Sequence, residues 1–238
     1  MDPPALPANA SNNAAGFWPR AVAWLVDAGL VSLPVFGVMS LLGFDRVDAL
    51  ASEWREMGAT VGKTMAAAID HGEAPRAMLQ SWLSAEGPLR PVIKMFLADL
   101  YAALWPVVAL FVLIGLVYWP IQEAGHHRAT LGKRVLGLQA LAVGGRQLSP
   151  RKAFHRHMVG SLSWLTLNIG HLLAANAPRH QALHDRIANT QVVWHDGAKR
   201  SVPAWGWLLV VVACTLPLLI AVKAAFSLSA AMQAALGI

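Results

Sequence analysis

The residue in this chain best placed to do chemistry is Asp27, because of where it sits. It interrupts GFWPRAVAWLVDAGLVSLPVFGVMSLLGF, residues 16–44, a stretch otherwise apolar for 24 residues from Ala21. An aspartate within such a span costs roughly 2.5–3.5 kcal/mol on insertion scales, so it normally faces a partner or a watery cavity. Burial raises a carboxylate pKa and a neighbouring cation lowers it. A carboxylate balanced between the two can exchange a proton or a small cation. The plainer alternative is a structural hydrogen bond or ion pair between helices. Arg20 lies seven residues earlier. Seven residues are two helical turns, which puts both side chains on one face, about 10 Å apart along the axis. Arg20 can pair with Asp27, with a lipid phosphate, or with a second aspartate, Asp185 in His-Asp-Arg. A guanidinium–carboxylate pair of that last kind would form a bidentate lock if the two lie on the same side of the membrane.

Other candidates are weaker. Thr-Leu-Gly-Lys at 130–133 lacks the eight-residue glycine-rich pattern of a phosphate loop. The simpler expectation is that Gly132 permits a tight turn while Lys133 and Arg134 meet lipid headgroups. Eight of the nine histidines fall between 126 and 195. His126 with His127, His155 with His157, and His180 with His184 have workable ligand spacings. No HExxH or cysteine pair accompanies them, and interfacial, pH-responsive histidines are the expected reading. Cys214, the single cysteine, lies in an apolar run. No serine or cysteine stands in a recognisable nucleophile setting, which argues against an enzyme. Nothing calls for a cofactor.

The elements that must position these residues are membrane helices. The chain is 56% hydrophobic and 13% charged, about half the usual charge of a soluble domain. Its net charge of +6 sits beside apolar spans, where positive flanks set orientation; nucleic acid is not an expected partner. Candidate membrane segments are 20–44, 100–121, 158–175 and 204–226. The second has Tyr101 and Trp105 near one end and Tyr118 and Trp119 near the other, the interfacial aromatic pattern. The third is weaker, with Ser161, Ser163, Thr166, Asn168 and His171. A re-entrant, broken helix suits it better than a full span.

Between the first two spans, Val47, Leu50, Trp54, Met57, Val61 and Met65 recur at three- and four-residue steps, predicting an amphipathic helix. A second helix is expected from Pro75. Residues 45–99 hold six Lys/Arg and eight Asp/Glu, whereas 122–157 hold seven Lys/Arg and one acidic residue. The basic connection is therefore the cytoplasmic one. That places the N-terminus inside and the 45–99 helices outside, on the membrane surface. With 158–175 re-entrant, Asp185 stays on the side of Arg20.

Three pieces then line up: Arg20 with Asp27, Thr-Leu-Gly-Lys-Arg-Val-Leu-Gly-Leu at 130–138, and Leu-His-Asp-Arg-Ile-Ala-Asn-Thr-Gln-Val-Val at 183–193. Together they resemble the RDD family of bacterial membrane proteins, named for one arginine and two aspartates. By position these are Arg20, Asp27 and Asp185, with Thr130, Gly132, Lys133, His184 and Thr190 in the cytoplasmic motifs. The resemblance covers about 16–195. The 45–99 connection is longer than the compact family pattern requires, and the span at 204–226 is an addition. The resemblance implies a multi-pass protein of the bacterial cytoplasmic membrane, with transport, including sodium–proton antiport, linked to some members.

The expected architecture is an all-α polytopic transmembrane bundle with three or four membrane segments and amphipathic extracytoplasmic helices. Its parts are a disordered tail (1–15), the RDD-like membrane domain (16–195) and an added C-terminal transmembrane helix (196–238). Expected partners are the lipid bilayer, small cations or protons exchanged through Asp27, and a second copy or another membrane protein. The competing expectation is a non-transporting structural or assembly protein that recruits a partner.

Overall fold

The structure is a computed structural model and describes residues 13–84, 86–163 and 168–237. In chain order its elements are α1 (Phe17–Leu41), α2 (Val47–Asp70), α3 (Pro75–Leu83), α4 (Leu89–Ala124), α5 (Leu131–Val135), β1 (Leu138–Ala142), α6 (Pro150–Leu162), α7 (Ile169–Leu172), a 3-10 turn (Leu173–Ala175), α8 (Leu183–Ala188), β2 (Thr190–Trp194) and α9 (Ala204–Leu236). The fold is predominantly helical, as expected for a polytopic bundle. Among the described residues three helices, α1, α4 and α9, are long and apolar enough to cross a membrane. At 1.5 Å per residue they run about 38, 54 and 50 Å, against a hydrocarbon core of about 30 Å.

Among the described residues of 158–175 there is no spanning helix. Pro150 occupies the first turn of α6, and the Ser149 hydroxyl accepts from the Lys152 N–H at 3.3 Å, a combination that starts a helix firmly. The helix stops at Leu162, and the chain resumes at Asn168 in a left-handed conformation, φ +62°. Four residues of α7 follow. Thirteen residues rise about 20 Å, too little to cross. Thr166 lies outside the described residues.

The chain divides into two compact units. The first comprises residues up to Val35 together with Leu110–Val212. Its centre is a two-stranded antiparallel sheet, Leu138 opposite Trp194 through Ala142 opposite Thr190. No strand is expected from the sequence here, where 122–157 is a basic connection. On its free edge Ala14 pairs with Val193, and the Ala15 N–H donates to the Val192 carbonyl at 2.9 Å. Of the expected tail, 1–12 lie outside the described residues; the part that is described, 13–15, lies along this edge. Side chains alternate across a strand. Leu138, Ala140, Ala142, Val192 and Trp194 turn inward onto Val22 and Ala23 of α1, Leu148 and Ala153.

The second unit comprises Phe36–Ala109 and the chain from Ala213 on. Here α2 packs along the later turns of α9 rather than lying free on a membrane surface. Trp54 Nε1 donates to the Ala224 carbonyl at 2.8 Å. One and two turns on, Gly58 and Gly62 are buried. A Cβ at either would meet the carbonyl oxygens of Leu228 and Met232 at 2.6 and 2.5 Å. The two helices thus touch backbone to backbone, the small-residue contact typical of helices in lipid.

Candidate functional site

All the candidate polar residues lie in the first unit, where they form two linked groups. Asp27, on α1, is 1% exposed. Its Oδ1 accepts from the Tyr118 hydroxyl at 2.7 Å and from the Gly132 N–H at 2.7 Å, and its Oδ2 accepts from the Thr130 hydroxyl at 2.6 Å. Thr130 is the N-cap of α5, and its oxygen also accepts from the Lys133 N–H. The carboxylate therefore closes the first turn of α5, where free N–H groups favour negative charge. Gly132 is required here for space and not for a tight turn. A Cβ on it would lie 2.1 Å from the Ala23 carbonyl oxygen and 3.0 Å from Asp27 Cγ.

The second group is ionic. Arg156, from α6, is central. Its Nη1 donates to both Glu123 oxygens at 2.6 and 2.5 Å, and its Nε donates to Asp185 Oδ1 at 3.0 Å. Lys133 pairs with Glu123, and Arg20 pairs with Asp185. Asp185 is fully buried and also accepts from the Thr190 hydroxyl at 3.0 Å and from the Ala182 N–H at 3.2 Å. Arg20 uses its remaining nitrogens on the Ala15 and His180 carbonyls, at 2.9 and 2.6 Å. Arg20 and Asp27 share a helix but have separate partners. The Arg20–Asp185 contact is single and not bidentate, because the two Asp185 oxygens serve different arginines. Lys133 does not reach lipid headgroups: it is 8% exposed and held by Glu123.

Burial by itself would raise the Asp185 carboxyl, but the guanidiniums of Arg20 and Arg156 hold it well below the usual carboxylate range. Burial would likewise lower Arg156; Glu123 and Asp185 outweigh it and raise its pKa. His184 answers to burial, which pushes it down to about 3. Its Nε2 lies 3.3 Å from Arg156 Nη2. An arginine only donates, so Nε2 accepts and the ring proton sits on Nδ1, which is buried without a partner.

Of the remaining histidines, His171 lies against His184, with ring centroids 5.0 Å apart. His157 stacks on Trp119 at 5.3 Å, His126 meets His127 edge-on, and His180 Nδ1 lies 3.0 Å from the Ala174 carbonyl. Among the described residues no group of three or more His, Cys, Asp or Glu could hold a metal ion. Sequence reasoning missed Tyr118, Glu123 and Arg156 as site residues. Glu123 did carry a signal: it is the lone acid in the otherwise basic stretch 122–157. Arg156, one of seven cations in that stretch, carried none.

The profile of the RDD family matches residues 14–189. The chain belongs to the RDD family. The matched stretch contains every charged member of the network and ends before α9. This RDD protein is 23% identical over 180 residues to "Uncharacterized protein YxaI" of Bacillus subtilis (strain 168), an overlap of 76% of this chain and 97% of that one. No solved structure matches it. Family and helices together make it a multi-pass integral protein of the bacterial inner membrane.

Proposed function

We propose that this RDD protein is a membrane scaffold whose buried polar cluster holds helices together rather than conducting ions. The observation that carries this reading is the closure of the cluster. Asp27, Glu123 and Asp185 are each 1% exposed or less, and every one of their oxygens accepts at least one hydrogen bond. Three cations, Arg20, Lys133 and Arg156, hold two of the carboxylates, Glu123 and Asp185. Breaking a buried pair of this kind typically costs about 3–5 kcal/mol, which suits a permanent fastening. Its product is a fixed sheet and loop layer on the basic side of the membrane, on which a partner can assemble.

One observation favours the competing reading of cation or proton exchange. Asp27 lies in a span, and its three donors are all neutral groups. A carboxylate without a bound counter-charge is the kind that takes up a proton or a small cation. Reconstitution separates the two. The purified chain goes into sealed liposomes carrying a pH gradient, and sodium, potassium and proton fluxes are followed for wild type and Asp27→Asn. The scaffold reading expects wild-type flux equal to that of empty liposomes and a lower folded yield for Asp27→Asn. Wild-type flux abolished in a well-folded Asp27→Asn establishes exchange instead.

A further inference from the structure

The outward face of the β1–β2 sheet plays no part in the ionic network. Gln139, Leu141, Gln191 and Val193 form this face, and it floors an open cleft of about 1290 Å³ in the first unit. His126, His127, Arg128, Arg134 and His195 also line it. Asp196 is the one acid among the lining residues. Among the described residues neither Arg128 nor Arg134 pairs with a carboxylate. The two guanidiniums are therefore uncommitted, in contrast with those of the network.

Two further observations point to a ligand. Gln139 and Gln191, neighbours on the outward face of the sheet, both line the cleft. Their side-chain amides put N–H donors on the floor of the cleft. Arg128 also has φ +54°, unusual for a residue with a Cβ and typical of positions held for function. The turn that fixes it runs from Gly125, and its carbonyl accepts from the Ala140 N–H at 2.7 Å. The Arg134 guanidinium keeps the His127 imidazole below its ordinary pKa, as a positive field without an anion should.

We propose that this cleft binds a phosphate-bearing anion, with Arg128 and Arg134 on the phosphate and Gln139 and Gln191 on its polar body. The inference is independent of whether the protein scaffolds or exchanges ions. Phosphate oxygens match arginine forks and glutamine N–H donors. They can come from an anionic lipid headgroup at the cytoplasmic surface or from a soluble phosphate compound.

The test uses the full chain in neutral detergent. Pyrophosphate is titrated by calorimetry. Dioctanoyl phosphatidylglycerol is followed by native mass spectrometry, with dioctanoyl phosphatidylcholine as the comparison. The variants are Arg128→Gly and Arg134→Gln. Glycine suits a φ of +54°, so Arg128→Gly removes the guanidinium while favouring the observed backbone. Saturable pyrophosphate binding, weakened about ten-fold by either variant, supports a soluble phosphate ligand. Retention of phosphatidylglycerol alone, with the same sensitivity, supports a lipid headgroup. Failure to bind either probe overturns the proposal. So does binding that both variants leave unchanged, or equal retention of the two lipids.

Discussion

At the scale of single residues, Arg156 is the cation that bridges two buried carboxylates. It holds Glu123 and Asp185, from different elements, and lies against His184. Replacing it with methionine leaves two buried carboxylates short of a cation. The expected result is a loss of about 3–5 kcal/mol, read as a lower melting temperature in detergent. Thr130→Ala removes both the α5 cap and a donor to Asp27, and should cost about 1–2 kcal/mol in the same assay. Acid should act mainly through histidine. The unfolded chain protonates its histidines near pH 6.5, whereas burial holds folded His184 down to about 3 and His157 to about 4. Between those values the unfolded state binds more protons, so stability falls as pH drops below about 6.5, by up to ~1.4 kcal/mol per pH unit per histidine. Asp185, held low, adds its own loss only below about pH 4. Melting curves should be flat above pH 7 and decline below it, and His184→Gln should lessen the decline.

At the scale of elements, close approach matters more than hydrophobicity. Gly58 and Gly62 let α2 lie against α9. Gly58→Ala puts a Cβ 2.6 Å from the Leu228 carbonyl and should destabilise by about 1–3 kcal/mol, with faster proteolysis within α2. Gly37→Ala, with open space around it, should be neutral or slightly stabilising. The amphipathic period of α2 was legible from Val47 to Met65; its docking partner was not, because α9 lies more than 150 residues further on. The sheet was hidden for a similar reason. Leu138–Ala142 is rich in leucine and alanine, and only its pairing with the β-branched run in β2 makes it a strand. The long apolar helices needed no such partner information, and length and composition alone identified them.

At the scale of the whole molecule, the Arg20–Asp185 pair bears on sidedness. Arg20 at the start of α1 touches Asp185 in α8, so both belong to one face of the membrane, and the charge count predicts the cytoplasmic one. This is testable by labelling. In a Cys214→Ala background, Arg179→Cys at an exposed site should resist an impermeant thiol reagent in intact cells and react after lysis. Ser84→Cys should react in intact cells. Reversed labelling would invert the topology. The Arg156 bridge could not be read from spacing, since its partners lie 33 and 29 residues away in opposite directions.

The same Arg20–Asp185 contact has a consequence for biogenesis. Its halves are 165 residues apart, and chains are made at about 5–20 residues per second. For roughly ten to thirty seconds after Arg20 emerges, α1 must wait without its acceptor, carrying an aspartate whose partners at 118, 130 and 132 also arrive late. The newborn first helix is thus poorly suited to rest alone in lipid. It should linger beside the insertion machinery until the chain beyond α8 is complete, and ribosome-arrested chains ending before residue 185 should crosslink to that machinery longer than full-length ones.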